Sequence, residues 1–316
     1  MKQFTIIKPK SRDEWLAIRR NGIGSSEVGT ILGLNPWQTP YQLWRLKKGL
    51  DAPVQENFAM KAGHYLEDAV AHFYADETGA EIIKASAGDW IAQDCEQKFL
   101  QVSPDRLAWI PNAPRKPGNK MIVECKTTQR TIDPDNLPMH WFAQLQYQLM
   151  VMRLDQGALA WLTQGREFGH AEIARDDDFC TFMRGELERF WADYIVGDQE
   201  PPCVDAEDVT TKFSMQTDGK LIEADAAAIE MVSVLKDVRN QISELESRKK
   251  MYEDGIKVTL GDAEAMVDTV GHTIVSWRTP KKQATKFDVA RFCAEHPELA
   301  KQYTTISAPC RRFLVK

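Results

Sequence analysis

One short segment, Met121–Lys126, limits most strongly what this chain can fold into and do. Its residues alternate in character with a period of two, which is typical of a β-strand. One face carries Met121, Val123 and Cys125, and the other carries Ile122, Glu124 and Lys126. The segment therefore predicts a strand of a central sheet that projects a carboxylate and an ammonium group from the same face.

A second acidic residue lies upstream of this strand. Asp105 follows a proline at the end of another predicted strand, nineteen positions before Glu124. If the two strands are neighbours, both carboxylates converge on Lys126, and their mutual repulsion implies a bound cation. Mg2+ prefers oxygen ligands, so it is the expected ion, with Mn2+ as an alternative. The backbone carbonyl of Cys125 is a further candidate ligand.

This combination of groups is suited to phosphodiester hydrolysis. A metal ion lowers the pKa of its bound water and neutralises charge that builds up on the phosphoryl oxygens. Lys126 would orient the attacking water and stabilise the developing negative charge. Taken alone, a Glu-x-Lys pair on a strand is more often a surface ion pair of small energetic value, so the hypothesis depends on accompanying motifs.

Further candidates lie on predicted helices. Glu67 borders the apolar stripe of one helix, and Gln144 lies within another, where a buried amide needs polar partners. Each also fits a solvated helix face. Gly24–Glu27 starts a further helix, and there Ser26, with Arg19 from the preceding helix, is typical of phosphate binding. An ordinary serine cap is the alternative.

Composition narrows the class of protein. The six cysteines are scattered without a CxxC pair, which argues against zinc ribbons, disulfide scaffolds and iron–sulfur nucleases and favours a reducing cytosol. No apolar stretch approaches a membrane span, and the N-terminus does not resemble a signal peptide. The net charge is -6, but residues 270–316 carry nine Lys or Arg against three Asp or Glu. This basic tail indicates a polyanion or an acidic partner, or simply a solvated surface.

The order of predicted elements favours an α/β (α+β) fold with a central mixed β-sheet. Glu200-Pro-Pro ends the last helix of this part, so we predict one domain over 1–205 and an accessory region over 206–316. In that region the stripe Leu235, Val238, Ile242, Leu245, Tyr252 and Ile256 predicts a long amphipathic helix with partial heptad character. A strand over 273–277, a helix over 287–303 and a terminal strand near 312–315 are expected to follow.

Together these motifs resemble the YqaJ-type viral recombinases, which are phage and prophage alkaline exonucleases related to phage lambda exonuclease. The matching segments are Trp15–Val28, Gly63–Asp68, Val102–Asp105, Val123–Lys126 and Phe142–Tyr147. Each is weak alone, but the five occur in the order and spacing of the family over roughly residues 11–200. The resemblance implies a PD-(D/E)XK restriction-endonuclease-like core with helices flanking the sheet.

The resemblance also implies roles for individual residues. Asp105 and Glu124 would bind the metal, Lys126 would be the catalytic lysine, Glu67 would lie near a second metal, Gln144 would support the site, and Arg19, Ser26 and Ser103 would hold a 5′-terminal phosphate. It implies a Mg2+-dependent 5′-to-3′ exonuclease, with two ions per site, that resects linear duplex DNA. It further implies a single-strand annealing protein as partner and, in some members, a ring-shaped trimer.

Two departures from the family pattern stand out. Pro111–Lys120 is a polar, proline-rich segment before the Glu-x-Lys strand, which we expect to lengthen a hairpin. The accessory region has no counterpart in short members, and its basic end is expected to contact DNA or the annealing partner. Two alternatives remain open, a restriction-like endonuclease and a non-catalytic DNA-binding recombination scaffold.

Overall fold

The computed structural model describes residues 4–52, 55–83, 90–197, 199–280, 287–305 and 311–315. The chain divides into two compact units, Met1–Lys212 and Phe213–Lys316. In the described residues, no helix combines the length and the apolar character that crossing a membrane would require.

The N-terminal unit alternates helices and strands. Its elements are β1 (Phe4–Ile7), α1 (Arg12–Arg20), α2 (Val28–Ile31), α3 (Pro40–Lys48), α4 (Phe58–Thr78), β2 (Glu81–Ile83), β3 (Ile91–Asp94), β4 (Gln101–Val102), β5 (Arg106–Trp109), β6 (Lys120–Thr128), α5 (Met139–Met152), β7 (Gln156–Thr163), β8 (Glu167–Ala174), α6 (Asp177–Phe190) and α7 (Ala206–Lys212). A 3-10 turn, Ser25–Glu27, precedes α2, and a π-helix, Trp191–Val196, follows α6.

The local signals in the sequence explain where several of these helices begin and end. Thr39 caps α3 by accepting a hydrogen bond from Gln42 N, and Pro40 occupies its first helical position. Gly79 ends α4 with a φ of 71°, a conformation that glycine adopts without steric cost. Ser11 caps α1 by accepting a hydrogen bond from Glu14 N, whereas the Glu14 carboxylate accepts one from Lys10 N.

A five-stranded sheet with the order β2-β5-β6-β7-β8 forms the centre of this unit. β6 and β7 are parallel and the other pairs are antiparallel, so the sheet is mixed, as the sequence predicts. β5 and β6 form the expected long hairpin, in which Arg106 is opposite Val123. Because β5 begins at Arg106, which is opposite Val123, no strand of the described residues lies beside the rest of β6 on that side.

The two faces of β6 pack on different helices. Met121 and Val123 pack with Val70 and Tyr74 of α4, whereas Ile122 belongs to the core cluster that contains much of α5. The predicted alternation is therefore confirmed. Ile122 and Val123 are fully buried, and burial of each such side chain contributes about 1.5–3 kcal/mol to folding. This packing fixes the register that directs Glu124 and Lys126 to the α5 side.

A smaller antiparallel sheet with the order β1-β3-β4 lies within the same unit. An isolated parallel bridge joins Ile23 to Leu100, next to β4, and holds the Gly22–Gly24 segment against this sheet. The Tyr147 hydroxyl of α5 donates to Ile23 O at 2.7 Å and accepts from Gln101 N at 2.9 Å. The start of the Ser25–Glu27 turn is thus anchored to both β4 and α5.

The C-terminal unit contains α8 (Ala226–Leu260), an antiparallel hairpin of β9 (Ala265–Val267) and β10 (Thr273–Ser276), then α9 (Val289–Glu295) and α10 (Pro297–Gln302). The predicted helix over 287–303 is wrong as a single element, because Pro297 cannot donate a backbone hydrogen bond and starts a new helix. The predicted terminal strand near 312–315 is also wrong, since residues 311–315 form no strand. Lys281, Lys282, Lys286 and Lys316 of the basic tail lie outside the described residues.

The boundary between the units falls seven residues after the one expected from Glu200-Pro-Pro. The reason is α7, which is attached to the N-terminal unit. Asp208 is fully buried, and its carboxylate accepts hydrogen bonds from the Thr39 hydroxyl at 2.8 Å and from Val204 N at 2.9 Å.

Candidate active site

Asp105, Glu124 and Lys126 come together where β5 and β6 part. The Asp105 carboxylate accepts a hydrogen bond from Cys125 N at 2.9 Å, across the edge of β6 that β5 leaves free. Lys126 Nζ donates to Glu124 Oε1 at 2.7 Å. Glu124 is only 2 % exposed, so this pair is not the surface ion pair that a Glu-x-Lys motif alone favours.

The electrostatics of the site reflect crowded carboxylates with little water. Burial raises the pKa of Asp105 well above its usual value, and the charges of Glu124 and then Glu67 raise it further. Burial by itself would lower the pKa of Lys126, but Glu124 and Asp105 outweigh that effect and raise the pKa. Lys126 is therefore an ammonium group at neutral pH, and the acidic side of the site favours binding of a further cation.

Two glutamines of α5 hold the Glu124 carboxylate. Gln144 Nε2 donates to Glu124 Oε1, while its Oε1 accepts from Lys126 at 2.9 Å. Gln148, one helical turn later on the same face, donates to Glu124 Oε2 at 2.8 Å. Gln148 was missed in the sequence analysis, although a second glutamine four residues after Gln144 in an apolar helix was a usable signal.

Glu67 reaches the site from the other face of the sheet, where α4 packs. Its carboxylate forms an ion pair with Arg106, which also pairs with Asp68. Arg106 is only 7 % exposed and follows Asp105 directly, so it neutralises part of the acidic cluster from the α4 side. Arg106 too was missed, because a basic residue that starts a strand gives no sign of its partner.

The residues present fit a hard divalent cation. In a strand, the N–H and C=O of one residue point to the same side, so the Cys125 carbonyl faces the same free edge as its N–H, towards Asp105. Among the residues that the structure describes, no three or more His, Cys, Asp or Glu side chains are arranged to hold a metal. The candidate ligands are thus two carboxylates and one carbonyl, and Mg2+ commonly keeps waters in its remaining positions.

The Cys125 thiol has a different environment from the Cys125 carbonyl. It packs against the core cluster on the α4 side, as predicted from strand alternation. Burial raises its pKa, and the charges of Asp105 and Glu124 raise it further, so the thiol stays protonated at neutral pH. It is therefore a packing group rather than a thiolate ligand.

The structure brings together two of the three predicted phosphate-binding residues. Arg19 Nη2 donates to Ser26 Oγ at 3.1 Å, and its guanidinium lies 4.7 Å from the Trp15 ring centroid. Gly24 makes room for this arginine, because a Cβ there would lie 2.5 Å from Arg19 Nη2. The Ser103 hydroxyl donates instead to the Trp90 carbonyl at 3.0 Å.

Gln148 links the turn that contains Ser26 to the carboxylates. Its Nε2 also donates to Ser25 Oγ at 3.2 Å, so one amide group touches both the Ser25–Glu27 turn and Glu124. Gln148 is fully buried, and its Oε1 has no hydrogen-bond partner among the described residues. Leaving a buried amide oxygen without a hydrogen bond costs free energy, and such a cost is expected at a residue that positions other side chains.

If the site performs the Mg2+-dependent DNA hydrolysis that the sequence predicts, replacing Gln148 with leucine is expected to lower the rate by about 10- to 100-fold and to raise the Mg2+ concentration needed for half-maximal rate. The physical reason is that Glu124 Oε2 loses its donor while remaining buried. Steady-state rates over a Mg2+ titration would measure both effects. Gln146→Leu is the matched control, because Gln146 binds Ala174 O and Asp176 N away from the carboxylates. An equal shift of the Mg2+ dependence in both variants would contradict this role.

Comparison with known proteins gives one family and several relatives. A family model described as "YqaJ-like viral recombinase domain" matches residues 14–155. The "Uncharacterized protein YqaJ" of Bacillus subtilis (strain 168) is 35% identical over 267 residues, which are 80% of this chain and 80% of that protein.

Solved structures with a similar course of the chain are more distant. An alkaline exonuclease (LHK-Exo) from Laribacter hongkongensis is 17% identical, with a TM-score of 0.46 over 58% of this chain and 93% of that one. A phage related exonuclease from Haemophilus somnus 129PT is 13% identical, with a TM-score of 0.39 over 55% of this chain and 93% of that one.

Proposed function

Because this chain belongs to the family of YqaJ-like viral recombinases, we propose that it is a Mg2+-dependent exonuclease that resects linear duplex DNA from the 5′ end. A role in viral-type DNA recombination follows from the family, and the 3′ single strand left by such resection is the substrate that strand annealing requires. The observation that carries the proposal is the partly buried Lys126 ammonium group, which Glu124 and Gln144 hold beside Asp105.

Each group in the site has a defined task in hydrolysis. A bound Mg2+ would supply an activated water and neutralise charge on the phosphate. Asp105, Glu124 and the Cys125 carbonyl would hold it, and Mn2+ suits the same oxygen ligands. Lys126 keeps its proton because of the carboxylates around it, so it faces the reacting phosphate as a fixed positive charge and stabilises the transition state. Gln144 fixes the direction of that ammonium group.

A second ion remains part of the proposal on the family resemblance. Glu67 is the residue that would approach it, but Arg106 holds the Glu67 carboxylate. Binding of a second ion would therefore require Glu67 to share or exchange this partner. The number of ions bound, measured by calorimetric titration of the wild type and of Glu67→Gln, would decide between one and two.

Arg19 and Ser26 favour an exonuclease over an endonuclease. A guanidinium group and a hydroxyl that already contact each other provide charge-assisted donors for a terminal phosphate. Ser103 would join them by turning its hydroxyl from the Trp90 carbonyl. An internal phosphodiester carries one negative charge, whereas a 5′-terminal phosphate carries close to two, so such a site prefers the end.

Three substrates test the proposal directly. With Mg2+, linear duplex with a 5′ phosphate should be degraded fastest, 5′-hydroxyl duplex more slowly, and covalently closed circles should survive. Cleavage of circles at a comparable rate would support a restriction-like endonuclease instead. Binding of duplex without hydrolysis in either Mg2+ or Mn2+ would support a non-catalytic recombination scaffold.

Replacing Arg19 with alanine is expected to remove most of the preference for a 5′ phosphate, by about 10- to 100-fold in kcat/KM, because a charged hydrogen-bond donor is lost. The rate on 5′-hydroxyl duplex should change little. Arg20→Ala is the matched control, since Arg20 is its exposed neighbour on α1 and loses the same charge. A preference unchanged by Arg19→Ala, or lost equally in both variants, would refute this assignment.

Three further parts of the proposal rest on the resemblance alone. They are a single-strand annealing protein as partner, a ring trimer that encloses DNA, and activity in the cytosol of a bacterial or phage-infected cell. The basic end of the accessory region is proposed to contact DNA or the annealing protein. Removing residues 213–316, which leaves α7 in place, should then weaken DNA affinity, processivity or partner binding, and no change in any of them would contradict the contact.

A further inference from the structure

The helix α8 has a regular heptad pattern over its whole length of 35 residues. Its repeating positions are separated by alternate steps of three and four residues. They are Ala228, Met231, Leu235, Val238, Ile242, Leu245, Lys249, Tyr252, Ile256 and Thr259. A hydrophobic repeat of 3.5 residues sustained over more than four heptads is typical of a left-handed coiled coil.

This stripe has no cover within the described part of the C-terminal unit. Met231 is 67% exposed, Leu245 59% and Tyr252 60%. Thirty-five residues give a helix about 52 Å long. Since most helix stability in proteins comes from packing of an apolar face, a stripe of this length is expected to be covered by a partner.

We propose that the partner is α8 of a second copy of this chain, paired in antiparallel orientation. Ile242 of one helix then lies opposite Leu245 of the other, and the two helices overlap over their whole length. The charged residues beside the stripe fit this register. Arg239 faces Glu246 of the second copy, and because the pair is symmetric, this Arg–Glu contact forms twice.

The charges also exclude neighbouring registers. A shift of one heptad in one direction sets Arg239 against Arg239 of the second copy. A shift in the other direction sets Glu246 against Glu246. Like charges that face each other across such an interface are unfavourable. Of these three registers, only the fully overlapping one brings opposite charges together and avoids a pair of like charges.

Lys249, the charged member of the stripe, decides between the two orientations. In a parallel pair, both Lys249 ammonium groups would lie in one layer. In the antiparallel pair each Lys249 faces Val238 of the second copy, and the two lie eleven residues apart along the axis. That is about 16 Å, well beyond the Debye length of about 8 Å at physiological salt.

Charge exchange in the full chain tests the pairing. Sedimentation equilibrium should show a dimer that dissociates on dilution. If the nuclease units also form a ring trimer, the assembly should be a hexamer. Arg239→Glu alone and Glu246→Arg alone should each weaken self-association about tenfold or more, and the double variant should restore it. Circular dichroism would check that all variants remain helical. A chain that does not self-associate through α8, or a double variant without rescue, would overturn the proposal.

A matched control lies on the same helix. Arg248 and Glu253 would contact each other only in a parallel pair, whereas in the antiparallel pair they face Gln241 and Val232 of the second copy. Arg248→Glu, Glu253→Arg and their combination should leave self-association within about twofold of the wild type. Loss and rescue in this pair instead of the Arg239–Glu246 pair would establish a parallel coiled coil and overturn the orientation. This test measures self-association and not DNA hydrolysis, so a protein without nuclease activity would still test the pairing of α8.

Discussion

Replacing Lys126 with alanine is expected to reduce DNA hydrolysis by roughly a thousandfold while DNA binding remains measurable. The ammonium group is held by Glu124 at 2.7 Å and Gln144 at 2.9 Å, so the alanine variant loses a positive charge with a fixed position. DNA affinity depends mainly on contacts with many phosphates, to which a single lysine adds little. Single-turnover rates on 5′-phosphorylated duplex, with affinity measured in Ca2+, would separate the two effects.

The control for this variant is Lys120→Ala on the same strand. Lys120 Nζ lies 5.2 Å from the Trp109 ring centroid, away from the carboxylates, so its removal costs a cation–π contact and a positive charge without touching the site. We expect a change in rate of less than about threefold for Lys120→Ala. A Lys126→Ala enzyme that kept a tenth of its wild-type rate would show that the lysine is not catalytic.

The Lys126 variant should also be less stable in the absence of metal. Removing the ammonium group leaves Glu124 buried near Asp105 with one fewer compensating charge. Breaking a buried ion pair by removing one partner costs about 3–5 kcal/mol in general. A lower melting temperature in chelator that recovers on addition of Mg2+ would be the expected signature, and it distinguishes this loss from simple misfolding.

Those parts of the fold that depend on local rules were predictable from the sequence. The alternation along β6, the caps at Ser11 and Thr39 and the glycine at the end of α4 each depend on residues within a few positions of one another. The central mixed sheet flanked by helices is confirmed as well. The break before Pro297 also follows a local rule, which a longer apparent helix obscured.

The parts of the site that could not be predicted depend on tertiary contacts. Arg106 meets Glu67 only because β5 and α4 pack together, and the two residues are 39 positions apart in the chain. Gln148 contacts Ser25 across 123 positions. Such pairings are set by how elements pack, and a single sequence does not record that. The hydrogen bond from the Ser103 hydroxyl to the Trp90 carbonyl is likewise a tertiary contact that the sequence does not record.

Replacing Asp105 with asparagine is expected to abolish hydrolysis and yet to stabilise the metal-free protein at neutral pH. Burial and the charges of Glu124 and Glu67 raise the pKa of Asp105. A carboxyl whose pKa is higher in the folded state than in the unfolded state favours folding below the unfolded value, about 3.9. That contribution falls as the pH rises from the unfolded pKa towards the folded pKa, so at neutral pH the buried carboxyl destabilises the metal-free fold.

Asparagine removes that charge and keeps an oxygen that accepts from Cys125 N. We expect a higher melting temperature than that of the wild type in chelator at pH 7–8. The difference from the wild type should shrink as the pH falls towards 4, because the wild-type carboxyl then becomes protonated. Asp76→Asn, at an exposed position of α4, controls for loss of one negative charge.

Mg2+ should reverse the order of stability in the same experiment. The wild type gains stability by binding the ion in its folded state, by about 2.7 kcal/mol at a hundred times the dissociation constant, whereas Asp105→Asn gains little. Melting curves with and without Mg2+ would therefore cross. If Asp105→Asn melted at or below the wild type in chelator, the carboxylates would not be crowded. If both proteins gained equally from Mg2+, the ion would bind elsewhere. Either result would remove the physical basis for placing a metal-dependent hydrolysis between Asp105 and Glu124.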